Sequence, residues 1–403
     1  MAKLIPRPHF LGNLIKFRDV DVIKVVTGVR RCGKSTLFDL YIEYLKAHGV
    51  DESQIIHVNL EDVSMEHLHD YKALHEFLLS KLQKGRMTYI LIDEAGRCAG
   101  FEKAVDSIYV KKGTDVYITG SNADLLSGEL ATLLSGRYVE IKMLPFSFAE
   151  FCAASENGGK ATDKNQAFMT YLNTGGFPVV ATQLGSDMEL SDQYLDGIYN
   201  TIIVKDVVAR KGVSDVGLLK NIVKYLCGNV GSPVSTANIT SYINNSGRKI
   251  TQKTVDKYVQ ALTDSFLFYS VERYNIKGKN LLKTLGKYYI VDTGLRNQLL
   301  SASSADVGHQ IENIAYLELL RRGYRVNVGK LGEREIDFVA TRQNAKEYYQ
   351  VSASVLDEAV RERELAPLLK VSDNYPKYLL TLDFIAGDYE GIKQVNLIDW
   401  LLA

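Results

Sequence analysis

The segment TGVRRCGKST, residues 27–36, constrains the fold of this chain more than any other. It fits the spacing G-x-x-x-x-G-K-[ST], with Gly28 and Gly33 at the glycine positions and Lys34, Ser35 and Thr36 closing it. An apolar run, DVIKVV, precedes it and a helical pattern over 34–48 follows. A strand feeding a glycine turn into a helix aims several backbone N–H groups, and the positive end of the helix, at one phosphate. Lys34 then reaches the β- and γ-phosphates, and the Ser35 hydroxyl ligates Mg²⁺. Gly28, Arg30, Gly33, Lys34, Ser35 and Thr36 are the candidate nucleotide-binding residues. Arg30 and Arg31 either touch phosphate or a partner, or are exposed loop residues. Cys32 reads as a small tolerated residue, since no His or acidic partner is visible to make it a nucleophile.

The second half of such a site is expected at the end of a later strand. YILIDEAG supplies it: Asp93 for the metal shell, and Glu94 to orient or deprotonate the attacking water. DVIKVVTG, QIIHVNLED, MTYILIDEA, TDVYITGSN and GRYVEIKML read as five strands, with helical patterns over 34–48, 66–84 and 101–111 separating most of them. Strand and helix in alternation predict an α/β fold with a parallel sheet.

TGVRRCGKST, LIDEA, YITGSN and LLSGRYVEIKMLPFSFAEF, in that order, resemble the AAA-type P-loop ATPases of bacteria and archaea that carry a poorly characterised C-terminal domain. GGFP, TIIVKDVVAR, KYYIVDTGLR and EIDF extend the resemblance over nearly the whole chain. It implies an extra strand between the two nucleotide motifs and the strand order 5-1-4-3-2. It also implies that Asn122 or Ser121 senses the γ-phosphate, and that Arg137 is an arginine finger or a sensor. From the residues alone, an Arg at the start of a strand is equally a solvated side chain. The chain departs from the family after the acidic pair, where Ala95 and Gly96 replace an apolar residue and glutamine. The missing amide makes hydrolysis less secure than binding.

Beyond Pro145 the pattern changes. Residues 149–212 read as a helical lid or linker broken at NTGGFP. Residues 213–302 read as a winged-helix-like domain: ITQKTVDKYVQAL puts Val255, Val259 and Leu262 on one helical stripe and Lys253 with Lys257 on another. The hairpin after it carries Arg273, Lys277, Lys279, Lys283 and Lys287 against the single acid Glu272. Basic clusters suit a phosphate backbone, so DNA is a candidate partner. A solvated lysine face or a protein partner is the alternative. Residues 303–403 read as a smaller α/β unit. Glu312, Glu335 and Asp337 suggest a PD-(D/E)xK nuclease-like fold, with Gln350 where the second-strand acid belongs and Ser352 where the lysine belongs. Lys346, Arg361 or Arg363 could replace that lysine. The expectation is a nuclease-like fold kept for binding or structure.

The 48 basic and 48 acidic side chains cancel, so no global field draws the chain to nucleic acid or to an anionic membrane. Four dispersed cysteines match no disulfide framework, and no apolar run has the length of a membrane helix. A cytoplasmic protein is expected, with ATP and Mg²⁺ as ligands and residues 1–148 as the ATPase domain. No residue selects adenine over guanine. Two rival functions stand beside an ATPase that rearranges its C-terminal domains: a nucleotide-gated binding switch and a DNA-cleaving defence nuclease. A homo-oligomer follows if Arg137 acts between copies.

Overall fold

The computed structural model describes residues 4–126, 134, 136–156, 163–185, 187–209, 212–300, 306–343 and 345–403. They form two compact units, residues 1–145 with 264–266 and residues 146–263 with 267–403.

The first unit contains α1 (Pro8–Lys16), β1 (Ile23–Thr27), α2 (Lys34–Ala47), β2 (Ile55–Asn59), α3 (Tyr71–Lys81), β3 (Thr88–Asp93), α4 (Phe101–Tyr109), β4 (Thr114–Gly120) and β5 (Tyr138–Lys142). All five expected strands form, and they pair in parallel in the order β2-β3-β4-β1-β5. That is the implied 5-1-4-3-2, with β4 inserted between the strands bearing the two motifs. Every residue of β1 and of β3 is buried, which is why these strands read as largely apolar runs; the one lysine in them, Lys24, is paired with Asp115 of β4. The edge strand β2 turns His57 and Asn59 outward. Phe101, Ala104, Val105 and Ile108 of α4 pack into the core beside Ile90, Ile92 and Val116. Because Thr27 stands in register with Gly120 and Lys142, the loops after β1 and β4 leave the sheet at the same end. Parallel sheets bind ligands at that end.

The second unit opens with helices α5 (Phe148–Glu156), α6 (Lys164–Thr174) and α7 (Met188–Thr201), with one π-helical turn between α6 and α7 (Val180–Leu184) and another directly after α7 (Ile202–Val208). There follow α8 (Val216–Gly228), β6 (Pro233–Val234), α9 (Thr236–Asn245), α10 (Gln252–Asp264), β7 (Phe268–Asn275), β8 (Asn280–Ile290) and α11 (Thr293–Leu300). The chain ends with α12 (Val307–Arg321), β9 (Arg325–Leu331), β10 (Arg334–Arg342), β11 (Ala345–Ser352), α13 (Glu358–Leu369), β12 (Lys377–Thr381), β13 (Gly387–Tyr389), β14 (Ile392–Asn396) and α14 (Leu397–Leu402).

The expected division between residues 302 and 303 falls inside a single sheet. Nine strands run in the order β13-β14-β12-β11-β10-β9-β7-β8-β6, and β7 pairs β9 in parallel from Arg273↔Val328 to Asn275↔Lys330. The hairpin would otherwise expose an unpaired edge, and β9 covers it.

Two sequence motifs outside the first unit turn out to hold this unit together. A Cβ at Gly175, where φ is +75°, would run into the Asp292 carboxylate. Asp292 in turn accepts from Gly176 N at 2.7 Å and from Leu295 N at 3.1 Å. Arg296 Nε donates to Cys227 O, and Asn297 Nδ2 to Leu172 O and Asn173 O. GGFP and VDTGLRN thus meet as one buried clasp. Among the described residues no helix is long and apolar enough to cross a membrane.

Candidate nucleotide site

The loop between β1 and α2 lies where the sequence places it; Gly33 takes φ +102°, and Gly28 is required by a contact as well as by its backbone angle. A Cβ on Gly28 would collide with Met143 O from the segment after β5. Lys34 begins α2 and is 5% exposed. Its ammonium donates to Gly28 O at 3.1 Å and Val29 O at 3.3 Å, and lies 3.5 Å from Glu94 Oε1. Ser35 is exposed on the first turn of the helix and Thr36 is half-buried.

Asp93 ends β3, fully buried, and receives the Thr119 hydroxyl on Oδ1. The same Thr119 oxygen accepts Glu94 N at 2.9 Å. One β4 hydroxyl therefore fixes both acids. Glu94 adopts φ +51°, a left-handed conformation that a non-glycine residue takes only when its surroundings enforce it. This bend turns its side chain to Lys34. At the end of β4, Ser121 and Asn122 are both buried, and Ser121 Oγ has no hydrogen-bond partner among the described residues. A cradle that tolerates no Cβ, a buried ammonium, a carboxylate at a strand end and an orphaned hydroxyl are the donors and acceptors a nucleotide with Mg²⁺ needs.

Arg30 differs from expectation. It is 8% exposed, and its guanidinium meets Glu61 Oε1 at 3.2 Å. Arg97 meets the same oxygen at 3.2 Å. Burial would raise the Glu61 carboxyl, but the two guanidiniums outweigh it and hold the group below its ordinary range. Arg30 thus braces the loop against the segment after β2, to which Arg97 of the turn after Glu94 is also tied, while Arg31 is exposed. Cys32 is completely buried, and burial pushes its thiol up, as suits a packing residue.

Arg137 sits away from this cluster. It immediately precedes β5, whose first residue pairs with Ile23 at the start of β1, so about 15 Å of strand separates it from the loop. There it pairs with Asp106 at 3.0 Å and lies over the Tyr109 ring.

Three contributors carried too little signal to be found. Thr119 and Glu61 are common residues at common positions. Arg7, between two prolines, is 2% exposed and donates to Cys32 O at 3.1 Å and Leu144 O at 2.7 Å, tying the loop to the end of β5.

In the second unit, Lys253 and Lys257 are exposed on α10, and Lys277 and Lys279 at the hairpin turn. Arg273 is half-buried, and the side chain of Lys283 lies outside the described residues. Lys287 is no part of a basic face: it is 3% exposed and paired with Glu312, Glu335 and Asp337. The substitutes expected for the missing lysine have other partners. Lys346 lies over Tyr274 and Tyr375, Arg361 pairs with Glu358, and Arg363 with Glu364. Ser352 Oγ donates to Ser354 O.

The family model for the AAA domain matches residues 21–152, and a domain of unknown function matches residues 165–306. An uncharacterized protein of Haemophilus influenzae is 39% identical over 401 residues, 99% of each chain. The chain belongs to this family of AAA-type P-loop ATPases. An uncharacterized protein of Methanocaldococcus jannaschii is 28% identical, over 95% of this chain and 87% of the relative. Among solved structures, a Walker-type ATPase of Pyrococcus abyssi superimposes with a TM-score of 0.52 at 13% identity, covering 73% of this chain and 95% of that one, a likeness of fold.

Proposed function

We propose that this AAA-type protein binds ATP with Mg²⁺ at the β1–α2 loop and hydrolyses it, and that the cycle drives work done through its second unit. The observation that carries this reading is the clamp in which Thr119 holds Asp93 and Glu94 together while Lys34 faces Glu94. Lys34 would release the loop carbonyls for the β- and γ-phosphates. The Ser35 hydroxyl and Asp93 would hold Mg²⁺, which neutralises charge developing on the phosphate oxygens. Glu94 would orient the attacking water and take its proton. Ser121 or Asn122 would report the γ-phosphate.

Arg137 lies at the far end of the sheet from its own loop. Its use as an arginine finger therefore requires a second copy of the chain. A lone chain would then act as the slow, nucleotide-gated switch that the Ala95–Gly96 departure favours.

The order α8-β6-α9-α10-β7-β8, with β6 pairing β8 antiparallel, supports a winged-helix reading of the middle region. Lys253, Lys257, Lys277 and Lys279 are the exposed cations that would follow a DNA backbone, with Arg273 at the base of the hairpin. The order α12-β9-β10-β11-α13-β12, with β12 parallel to β11, supports the nuclease-like reading of the remainder. Since one sheet joins the two, they would move as one body.

The test is phosphate release by wild type and Glu94→Gln with Mg²⁺, across a protein concentration series, with and without duplex DNA. Turnover that the variant loses supports the ATPase. Intact ATP binding with no turnover under any condition leaves the switch.

A further inference from the structure

The two halves of the nucleotide site are tied together by a carboxylate that belongs to neither motif. Leu60 N donates to Asp93 O at 3.1 Å, so Glu61 leaves β2 beside the acidic pair. Its own N–H donates to Asn59 Oδ1 at 2.9 Å, which fixes the turn. A single oxygen, Glu61 Oε1, then lies 3.2 Å from Arg30 and 3.2 Å from Arg97.

Arg30 comes from the loop after β1. In the order β2-β3-β4-β1-β5, two strands stand between that loop and Glu61, so the loop and the Arg30 side chain together span three strand spacings, about 14 Å. They cross the ends of β4 and β3, where Thr119, Asp93 and Glu94 lie. Arg97 closes the turn after Glu94. Its N–H donates to Glu94 O at 2.9 Å, and Ala99 N donates to His69 O at 2.9 Å, so the turn is anchored on both sides. Both guanidiniums thus stand at the end of the sheet that bears Lys34 and the acidic pair. One carboxylate balances only one of them, and a positive charge is left over beside the site.

We propose that Arg97 binds the terminal phosphate of ATP within its own chain, and that Glu61 is the positioning residue that parks it until ATP arrives. The inference rests on the nucleotide site proposed above and adds a residue to it. The two arginines are not equivalent. The Arg30 side chain is 9% exposed, whereas those of Arg97 and Glu61 are 39% and 44% exposed. An ion pair so open to water is weak. A guanidinium on phosphate, by contrast, makes paired charge-assisted hydrogen bonds. The phosphate therefore competes well for Arg97, while Arg30 stays on Glu61 and balances it. ADP lacks that phosphate and leaves Arg97 parked. A lone chain in this way has a guanidinium for the charge that develops during hydrolysis, which Arg137, at the far end of the sheet, does not supply.

The test is calorimetric binding of ADP and of a non-hydrolysable ATP analogue, each with Mg²⁺, to the full chain, with phosphate release from ATP measured in parallel. Arg97→Ala is expected to bind the analogue about 10- to 100-fold more weakly than wild type, the scale of a lost hydrogen bond to a charged group, and to bind ADP unchanged. Its turnover should fall by about 10³-fold, the lower end of what an arginine contributes to phosphoryl transfer. Arg97→Lys keeps the charge without the fork and should recover part of the analogue's affinity. Glu61→Gln releases Arg97 and should prefer the analogue over ADP at least as strongly as wild type does. Equal losses of analogue and ADP in Arg97→Ala would mark a structural role and overturn the assignment, and so would unchanged binding of both. A preference in Glu61→Gln that falls as far as that of Arg97→Ala would overturn the parking. A wild type that binds neither nucleotide would instead sink the nucleotide-site reading, and this assignment with it.

Discussion

The Lys34 ammonium stands 3.5 Å from the Glu94 carboxylate while it donates to Gly28 O and Val29 O. The two side chains have different tasks in the proposed cycle, so their removal should separate binding from chemistry. Lys34→Ala is expected to abolish ATP affinity by calorimetry. Glu94→Gln, which keeps size and polarity, should bind ATP as wild type does and lose turnover by about 10²- to 10⁴-fold. Undiminished phosphate release by Glu94→Gln would remove Glu94 from its assigned role.

Thr119 touches no substrate in this proposal, yet its hydroxyl donates to Asp93 and accepts from Glu94 N. Thr119→Val keeps the shape, frees Asp93 and leaves a buried N–H unsatisfied, at a cost of about 1–3 kcal/mol. Partners that orient metal-holding groups change activity by about 10- to 100-fold. A fall of that size in turnover, with a raised Mg²⁺ requirement, is expected from Thr119→Val. Thr119→Ser should restore most of it. Equal defects in the Val and Ser variants would mean that the methyl group, rather than the hydroxyl, matters.

The parts of this protein legible in sequence are those whose signal is local. β1 and β3 are buried on both faces, so their composition alone marks them, and the loop spacing is set by what one phosphate needs. The left-handed turn at Glu94 leaves no such trace, because the surroundings impose it. Lys287 was grouped with its neighbours in the hairpin, although KYYI alternates and puts Lys287 and Tyr289 on one side of β8. Only the fold brings Glu312, 25 residues on, to both of them. Likewise, the partnership of GGFP with Asp292 spans more than a hundred residues, and pattern reading does not reach that far. Arg7 leaves no such trace either, because its hydrogen bonds to Cys32 and Leu144 end on backbone carbonyls, which carry no sequence.

The contact of Arg137 with Asp106 leaves the two side chains 47% and 31% exposed, and such surface pairs add at most about 1 kcal/mol. Arg137→Ala should therefore fold normally and bind ATP normally. If the guanidinium serves the site of a second copy, the wild-type rate per chain rises with protein concentration and the variant's rate does not. A rate independent of concentration and unaffected by Arg137→Ala would assign the residue to the surface.

Asp292 offers a pH test of the clasp in the second unit. It is completely buried, and burial pushes its carboxyl from 3.8 up to about 6 even though Gly176, Leu295 and Gly294 donate backbone N–H groups to it. Its folded pKa is raised, so between about pH 4 and 6 the folded chain holds a proton that the unfolded chain has lost. Stability therefore falls as pH rises through that window, by up to about 3 kcal/mol from this group. Asp292→Asn cannot titrate. The stability of wild type minus that of Asp292→Asn, from denaturant titrations, should fall between pH 4 and 6 and level off above. A difference that is flat with pH, or that grows in favour of wild type, would mean that the three N–H groups hold the carboxylate charged, and that the clasp is insensitive to pH.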